Sequence, residues 1–410
     1  MRRIGISPCR KDALRGFAPR SARPNNAEGK ETQRRMKTER ISELLIACLR
    51  WEMTGTPVEA SPLTADECAA LCTLAETHDA AHTVWRALKD SAAFSECSAC
   101  DAVRRMERAA HRCEYRFLLL QTTLARATAA LSAAGIDHVP LKGAVLRPLW
   151  KHPVGRLSCD VDILVREQDL ARAVDTLLSA LKAEQRGQSG HDISLFTSDN
   201  VHIELHFSLL EEEIQLPSDA LLADPFAFCT GDGHAKVMPD AYLYLYHVTH
   251  VAKHVLNGGC GVRPVLDTWV LCHRTAPDAE GRARLLREGG LDRFAACVQT
   301  LAAVWIDGAT PTDESDSLGA FVLRGGVYGS DDGRSGVHAG REGRVRYALS
   351  RLFLPLSVMR RYYPVLQRHP YLLPVLWLWR PLTLVFGRGG KERRRALRQA
   401  QSVDTAAWGL

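Results

Sequence analysis

Two aspartates stand two residues apart at the start of an otherwise apolar segment, CDVDILV, residues 159–165. Residues i and i+2 of a strand project to the same face, so Asp160 and Asp162 are expected to lie side by side. An unpaired buried carboxylate is costly, so such groups are hydrogen-bonded, paired with a cation or bound to a metal. The spacing therefore predicts two carboxylates that converge on divalent cations.

A third carboxylate lies further along the chain. Residues 192–207, DISLFTSDNVHIELHF, alternate in polarity around Asp199-Asn200, which predicts a β-hairpin with its turn at these two residues. Glu204 lies inside the second strand of this hairpin. Two Asp and one Glu on adjacent strands would form an oxygen-rich site suited to Mg²⁺ or Mn²⁺. The alternative is that the aspartates begin a solvent-facing edge strand and that Glu204 is a surface residue of the hairpin.

Three short segments carry a resemblance to a known family: LKGAVLRPLW (141–150), GRLSCDVDILV (155–165) and IELHF (203–207). Together they resemble the bacterial "uncharacterised nucleotidyltransferase" family, within the superfamily typified by DNA polymerase beta. That family has an LKG segment, an R-x-x-S-D-h-D-h-L-V segment and an E-L-H-W segment. Here Cys159 stands where serine is usual, and Phe207 replaces the tryptophan. The resemblance covers about residues 40–300.

The resemblance implies a fold class and catalytic roles. The fold would be α+β, with a small mixed β-sheet core of the polymerase beta type embedded in N- and C-terminal helical regions. Asp160 and Asp162 would bind both metals and, through them, a nucleoside triphosphate. Glu204 would help to hold the second metal and activate the acceptor hydroxyl. Lys142 and Gly143 replace the glycine-serine pair of the wider superfamily, so Lys142 would contact phosphate and Gly143 would let backbone N–H groups approach it.

Two residues just before the aspartates are further candidates for nucleotide binding. Arg156 could bind phosphate, or it could pair structurally with an aspartate, and Ser158 lies two residues before the first aspartate. Later in the chain, Arg263 and Asp267 are four residues apart in a helical segment, and this spacing predicts an ion pair between them.

A helix predicted over residues 239–259 presents several polar side chains on one face. His247, His250 and His254 recur at helical spacing, and Lys253 is adjacent. His250, Lys253 and His254 are the candidates for contact with the nucleotide, as the helix closes over the carboxylates. The alternative is a polar seam between helices, in which Asp267 pairs with the histidines.

Periodicity and composition divide the chain into six segments. We expect a disordered basic tail (1–35), an N-terminal helical region (36–134), the α/β core (135–210), a helical region that closes on the site (211–306), a loop rich in Gly, Ser and Asp (307–342), and a C-terminal helical segment rich in basic and aromatic residues (343–410).

Composition and charge argue against some classes of binding partner, namely long nucleic acid and the membrane. The chain has 410 residues, of which 46% are hydrophobic, and its net charge of +6 is concentrated towards the two ends. This distribution argues against an enzyme that grips long nucleic acid, which would need a basic folded face. The stretch over 370–386 is too short and too interrupted to span a membrane, and packing on its own domain is favoured over contact with a membrane surface. The N-terminus lacks the apolar region of a secretory signal, and Met36 is an alternative start.

Twelve cysteines are scattered through apolar, helix-like contexts. They lack the spacing of a secreted disulfide framework, which predicts free thiols in a reducing cytoplasm. The exception is the set Cys68, Cys72, Cys97 and Cys100, which forms a CxxxC and a CxxC. These four could bind zinc, although the turn glycines common in zinc sites are missing.

The predicted function is the metal-dependent transfer of a nucleoside monophosphate from a triphosphate to an acceptor, with release of pyrophosphate. The acceptor would be a hydroxyl or phosphate group of a small molecule, a peptide or a protein. Two alternatives remain open at this point: a catalytically degenerate nucleotidyltransferase fold that serves as a binding scaffold, and a protein that acts mainly as the partner of another protein.

Overall fold

The structure, a computed structural model, describes residues 26–210 and 214–342, scattered residues between 353 and 379, and residues 403–410. Contacts divide the chain into two units, residues 1–40 and 41–410. In the first unit, residues 26–40 are helical.

The helices of the described residues are α1 (Asn26–Thr54), α2 (Ala65–Thr77), α3 (Ala81–Leu88), α4 (Asp101–Ala133), α5 (Gly143–Leu146), α6 (Leu170–Leu181), α7 (Asp240–Leu256), α8 (Arg263–His273), α9 (Ala279–Glu288), α10 (Asp292–Asp307), α11 (Asp313–Gly325), α12 (Asp331–Glu342) and α13 (Val365–Arg368).

A mixed β-sheet stands between the helical segments. Its strands are β1 (His138–Pro140), β2 (Asp160–Val165), β3 (Glu184–Gln188), β4 (Asp192–Phe196) and β5 (His202–His206). Their order is β1-β2-β5-β4-β3, in which β2 and β5 are parallel and the other neighbours are antiparallel. The predicted fold class, a small mixed sheet embedded in helical regions, is thereby confirmed.

The two faces of the sheet have different environments. Apolar residues at alternate positions of the central strands, such as Val161, Ile163, Ile203 and Leu205, are buried in one core cluster with residues of α4 and α6. Polar residues at the intervening positions project from the opposite face. The predicted hairpin is present as β4 and β5, and Asn200 in its turn adopts a positive φ of 56°.

Most of the helices share a second, larger core. Its centre includes α7, on which both Tyr242 and Tyr244 are fully buried. A helix that is apolar on nearly all sides is typical of a position inside the protein. This helix begins directly after Pro239, as predicted, and α4 ends just before Gly135, which has a φ of +68°.

Two predictions of irregular structure are wrong. Residues 307–342 contain α11 and α12, although their composition indicated a loop. Thr312 caps α11 through its side chain, and buried Leu318, Phe321 and Val322 recur at helical spacing. Likewise, residues 26–35 of the predicted tail are helical, while residues 1–25 lie outside the described residues.

The C-terminal segment is described only in part. The expectation of helix, and of packing or membrane contact, over 343–410 falls largely on residues outside the described ranges. At the end of the chain, Trp408 is buried, and its indole N–H donates to Ser317 Oγ at 2.7 Å. Among the described helices, none is both long and apolar enough to cross a membrane.

One pair of cysteines departs from the predicted pattern of separate free thiols. The sulfur atoms of Cys68 and Cys97 are in bonding contact. The other cysteines in the described part of the chain are free thiols.

Candidate functional site

The pairing of β2 with β5 brings the three predicted carboxylates together. Because these strands run parallel in register, Asp162 lies opposite Glu204 and Asp160 lies opposite His202. Potential ligand atoms of Asp160, His202 and Glu204 lie within 4.8 Å of one another. The same holds for Asp162, Glu204 and His206. Strand β2 is flanked by β1 and β5, so the alternative of a solvent-facing edge strand is excluded.

Lys142 lies against this carboxylate cluster. Its Nζ is 2.8 Å from Asp162 Oδ1 and 3.7 Å from Glu204 Oε2. Lys142 connects β1 to α5 with a φ of 42°, a backbone conformation that residues other than glycine adopt at a cost. Burial by itself lowers the pKa of Lys142, but Asp162 and the other nearby acids outweigh burial and hold the pKa well above its usual value. The side chain is therefore a fixed positive charge within the cluster.

The carboxylates differ in their electrostatics. Burial, followed by the charge of Asp162, raises the pKa of Asp160 to about 6. Burial also disfavours the charge of Asp162, but Lys142 and His206 outweigh it and hold the pKa of Asp162 well below its usual range. His206 Nε2 lies 3.0 Å from Asp162 Oδ1. Burial lowers the pKa of His206, whereas its hydrogen bonds to Asp162 and Glu204 raise it, and the net shift is upward.

The three carboxylates form part of the lining of a cavity of about 350 Å³. This volume is within the range of small-molecule sites, roughly 300–1,000 Å³. Helix α7 contributes His250 and His254, whose Nε2 atoms are hydrogen-bonded to each other at 3.1 Å. Lys253 is absent from the lining; it is buried and forms an ion pair with Asp219 at 2.9 Å. The structure thus brings both histidines to the cavity and directs Lys253 elsewhere.

A family model described as "Uncharacterised nucleotidyltransferase" matches residues 64–307, which is more than half of the chain. The chain belongs to this family. The match includes the carboxylate cluster, Lys142 and α7, and it supports nucleotidyltransferase activity in general terms. Searches of curated proteins and of solved structures each returned no match.

The donor set fits the divalent metal that this family's chemistry implies. Three carboxylates converge, and in the described part of the chain they contact Lys142 and two histidines, His202 and His206, which are cations only when protonated. Burial is the main cause of the raised pKa of Asp160, and the negative charge of Asp162 beside it adds to the shift. Carboxylate oxygens are the preferred ligands of Mg²⁺ and Mn²⁺. Asp160, Asp162 and Glu204 are therefore suited to hold such an ion.

Arg156, a candidate for phosphate binding, is engaged in a buried ion pair. Its Nε and Nη2 donate to Asp267 at 2.9 and 2.8 Å, and Asp267 also accepts from Trp150 Nε1 at 2.9 Å. The alternative of a structural pairing with an aspartate is thus present in the structure. The predicted ion pair between Arg263 and Asp267 is wrong, because Arg263 pairs with Asp79 and Asp267 pairs with Arg156.

Gly143 lies close to Arg156, whereas Ser158 is hydrogen-bonded to Arg147. A Cβ at Gly143 would lie 2.9 Å from Arg156 Nη1 and 3.1 Å from Ser158 Oγ, so glycine permits this close approach. Ser158 Oγ accepts a hydrogen bond from Arg147 and donates one to Asp160 O at 3.2 Å. Ser158 therefore positions the start of β2, and a phosphate contact for Gly143 or Ser158 remains a prediction.

Several cavity residues were missed by sequence reasoning. Arg263 lines the cavity and pairs with Asp79, which follows α2, at 3.4 Å. Tyr328 lies between α11 and α12 and is 80% exposed at the cavity. Both contacts join segments far apart in sequence, and a lone tyrosine in GGVYGS carries no local signal. His206 does not line the cavity but contacts Asp162 and Glu204, and it was the easiest of the missed residues to predict because it belongs to the ELH segment of the family motif.

The N-terminal helices support the loop that leads into β2. Glu52 of α1 is fully buried, lies 3.2 Å from Arg86 of α3, and packs on Gly155, where a Cβ would meet its carboxylate. His82 of α3 is hydrogen-bonded through Nε2 to Gly155 O at 2.8 Å. As the partner of a carbonyl oxygen, Nε2 must be the donor. These contacts connect the helical region to the segment that carries Arg156.

His82 should make stability depend on pH. Burial lowers the pKa of His82 to about 4. Below about pH 6.5 the imidazole of His82 is protonated in the unfolded chain, whereas in the folded protein it stays neutral down to about pH 4. The free energy of unfolding therefore decreases as the pH falls from about 6.5 to about 4. We expect His82→Gln to reduce the loss of unfolding free energy between pH 7 and pH 5 by about 1–2 kcal/mol. Urea denaturation at each pH measures this slope.

His111 offers a matched control for this measurement, because it is an exposed histidine on α4. His111→Gln should leave the pH dependence unchanged. An identical slope for wild type and His82→Gln would show that His82 does not contribute to it.

Proposed function

We propose that the protein transfers a nucleoside monophosphate from a nucleoside triphosphate to a hydroxyl or phosphate acceptor and releases pyrophosphate, with Mg²⁺ or Mn²⁺ as cofactor. The observation that carries this proposal is the convergence of Asp160, Asp162 and Glu204 across two parallel strands at a cavity. Membership of the nucleotidyltransferase family supports it independently.

The metal would be held by the three carboxylates. When bound, a divalent cation neutralises the phosphates and stabilises the negative charge that develops during phosphoryl transfer. Lys142 adds a fixed positive charge beside the same carboxylates, which favours the approach of a triphosphate. Glu204 is the carboxylate we assign to accept the proton of the acceptor hydroxyl, since its side chain is about a quarter exposed, whereas that of Asp162 is buried.

The remaining walls of the cavity suit a nucleotide. His250, His254 and Arg263 supply polar and cationic groups opposite the sheet. Tyr328 supplies an exposed aromatic ring at the same cavity, and such rings stack on nucleobases. The acceptor would be a small molecule, a peptide or a protein, and long nucleic acid is not expected.

Thermal unfolding tests the proposal without knowledge of the acceptor. The melting temperature is measured with Mg²⁺ alone, each nucleoside triphosphate alone, and both together. Ligand at 100 times its Kd adds about 2.7 kcal/mol, which is a shift of several degrees. We expect a shift that requires both metal and triphosphate, that identifies the preferred nucleotide, and that is lost in the double variant Asp160→Ala, Asp162→Ala.

The absence of a thermal shift would argue against the proposed activity. If no triphosphate shifts the melting temperature of the wild type in the presence of either metal, the proposed activity is wrong. The alternative of a degenerate fold that acts as a scaffold would then be favoured. A shift of equal size in the double variant would place the nucleotide away from the carboxylate cluster.

A further inference from the structure

A second cluster of potential metal ligands lies in the N-terminal helical region, apart from the carboxylates. The sulfur atoms of Cys68, Cys97 and Cys100 all lie within 4.8 Å of one another. Cys68 is on α2, whereas the other two flank the turn that precedes α4. Nothing in the proposed nucleotidyl transfer uses these thiols.

Local geometry brings the cysteines close to one another. The Cys100 N–H donates to Cys97 O at 2.9 Å, which closes a tight CxxC turn. Cys100 directly precedes α4, and the positive end of a helix dipole stabilises a thiolate. Cys72 follows Cys68 by one helical turn on the buried face of α2. Cys72 lies outside the group of three mutually close sulfur atoms, so its side chain would have to turn towards them to complete a four-ligand set.

A simple disulfide accounts less well for this arrangement. The Cα atoms of Cys68 and Cys97 are 7.3 Å apart, whereas disulfides usually join Cα atoms about 4.4–6.8 Å apart. A disulfide would also leave the approach of Cys100 unexplained. In tetrahedral zinc sites, Zn–S bonds of about 2.3 Å place sulfur atoms about 3.8 Å apart, which small side-chain movements could reach here.

We propose that Cys68, Cys97 and Cys100 bind one Zn²⁺ ion as thiolates, with Cys72 as the fourth ligand. The ion would fasten the buried face of α2 to the start of α4. Asp79, the partner of Arg263 at the cavity, follows the end of α2. The zinc would therefore be structural and would fix one wall of the nucleotide cavity.

Metal analysis of the full chain, purified anaerobically and without a histidine tag, tests this proposal. We expect about one zinc per chain in the wild type, and a loss of at least tenfold in Cys97→Ser, Cys100→Ser and Cys72→Ser. Cys297→Ser changes a half-buried cysteine on α10 and should retain the zinc. The double variant Asp160→Ala, Asp162→Ala should also retain it, which separates this site from the carboxylate cluster.

Two further measurements use the wild type, so they test the proposal even if the cysteine variants fail to fold. Removal of zinc from the wild type with a chelator should lower its melting temperature by about 5 °C or more. Substitution by Co²⁺ should give the charge-transfer absorption of thiolate ligands. The proposal is overturned if zinc is absent from the wild type, or if Cys100→Ser binds zinc like the wild type. It is also overturned if ten rather than twelve thiols react after denaturation without reductant, because that result would show a disulfide.

Discussion

The variants Asp160→Asn and Asp162→Asn are expected to lose metal-dependent nucleotide binding alike, yet to shift the stability of the metal-free protein in opposite directions. Each removes one carboxylate from the proposed metal site. The loss in nucleotide affinity or turnover should be at least about 10²-fold, the size of effect seen when one electrostatic contact to the transition state is removed.

The opposite stability effects follow from the different partners of the two side chains. Asp162 contacts Lys142 and His206, so its neutralisation leaves a largely buried cation without its nearest acid. A cost of about 2–3 kcal/mol is expected, below the roughly 3–5 kcal/mol of a fully buried pair, because the Lys142 side chain is 25% exposed. Burial and, after it, repulsion by Asp162 both disfavour the charge of Asp160, so Asp160→Asn should raise the stability by about 1 kcal/mol at pH 8.

Urea denaturation without metal measures these stabilities, and thermal shifts with Mg²⁺ and triphosphate measure binding. Asp175→Asn is a suitable control on α6, because it changes an aspartate that is absent from the cavity lining. Undiminished metal-dependent binding in either site variant would remove that carboxylate from the site. Destabilisation by both variants to the same extent would contradict the assigned charge distribution.

Asp267→Ala is expected to destabilise the protein by about 3–5 kcal/mol, because it leaves the buried guanidinium of Arg156 without its partner. Burial opposes the charge of Asp267, but Arg156 outweighs burial and lowers the pKa of Asp267. Arg284 and Glu288 form an ion pair whose side chains are about half exposed, so Glu288→Ala should cost only about 0–1 kcal/mol. Urea denaturation of both variants compares the two pairs directly.

A double variant separates the structural role of Arg156 from phosphate binding. Arg156→Leu with Asp267→Leu removes both charges, which should restore much of the lost stability. If Arg156 is structural, the affinity of this variant for the triphosphate should remain within about threefold of the wild type. A loss of more than tenfold in a stable double variant would instead support the predicted contact between Arg156 and phosphate.

Local sequence was sufficient for the features that depend on short-range periodicity. The two-residue spacing of Asp160 and Asp162 determined that both side chains share one face of a strand. The turn at Asp199-Asn200 determined the hairpin that carries Glu204. Apolar repeats likewise located α4 and α7. Composition misled over residues 307–342, because small and polar residues concealed the repeat of Leu318, Phe321 and Val322 in α11.

Tertiary structure decided which polar side chains line the cavity and which are held in ion pairs elsewhere. Any of several aspartates could have paired with Arg156, and Asp267 does so because the fold brings α8 against the loop before β2. Lys253 shares a helix with His250, yet it pairs with Asp219. Arg263 and Tyr328 reach the cavity from distant segments.

The difference has a physical reason. Strand alternation, turn conformation and helical periodicity are fixed by bonds and sterics within a few residues, so the sequence by itself determined that Asp160 and Asp162 share one face of a strand and that Glu204 lies on a hairpin strand. The parallel pairing of β2 with β5, which brings the three carboxylates together, was decided by the tertiary structure. Ion pairs and cavity walls join residues that are distant in sequence. They therefore depend on which segments pack against each other, and exclude water between them, in the folded chain. The partners of Arg156, Lys253 and Arg263, and the approach of Cys100 to Cys68 and Cys97, were therefore decided only by the packing of the complete fold.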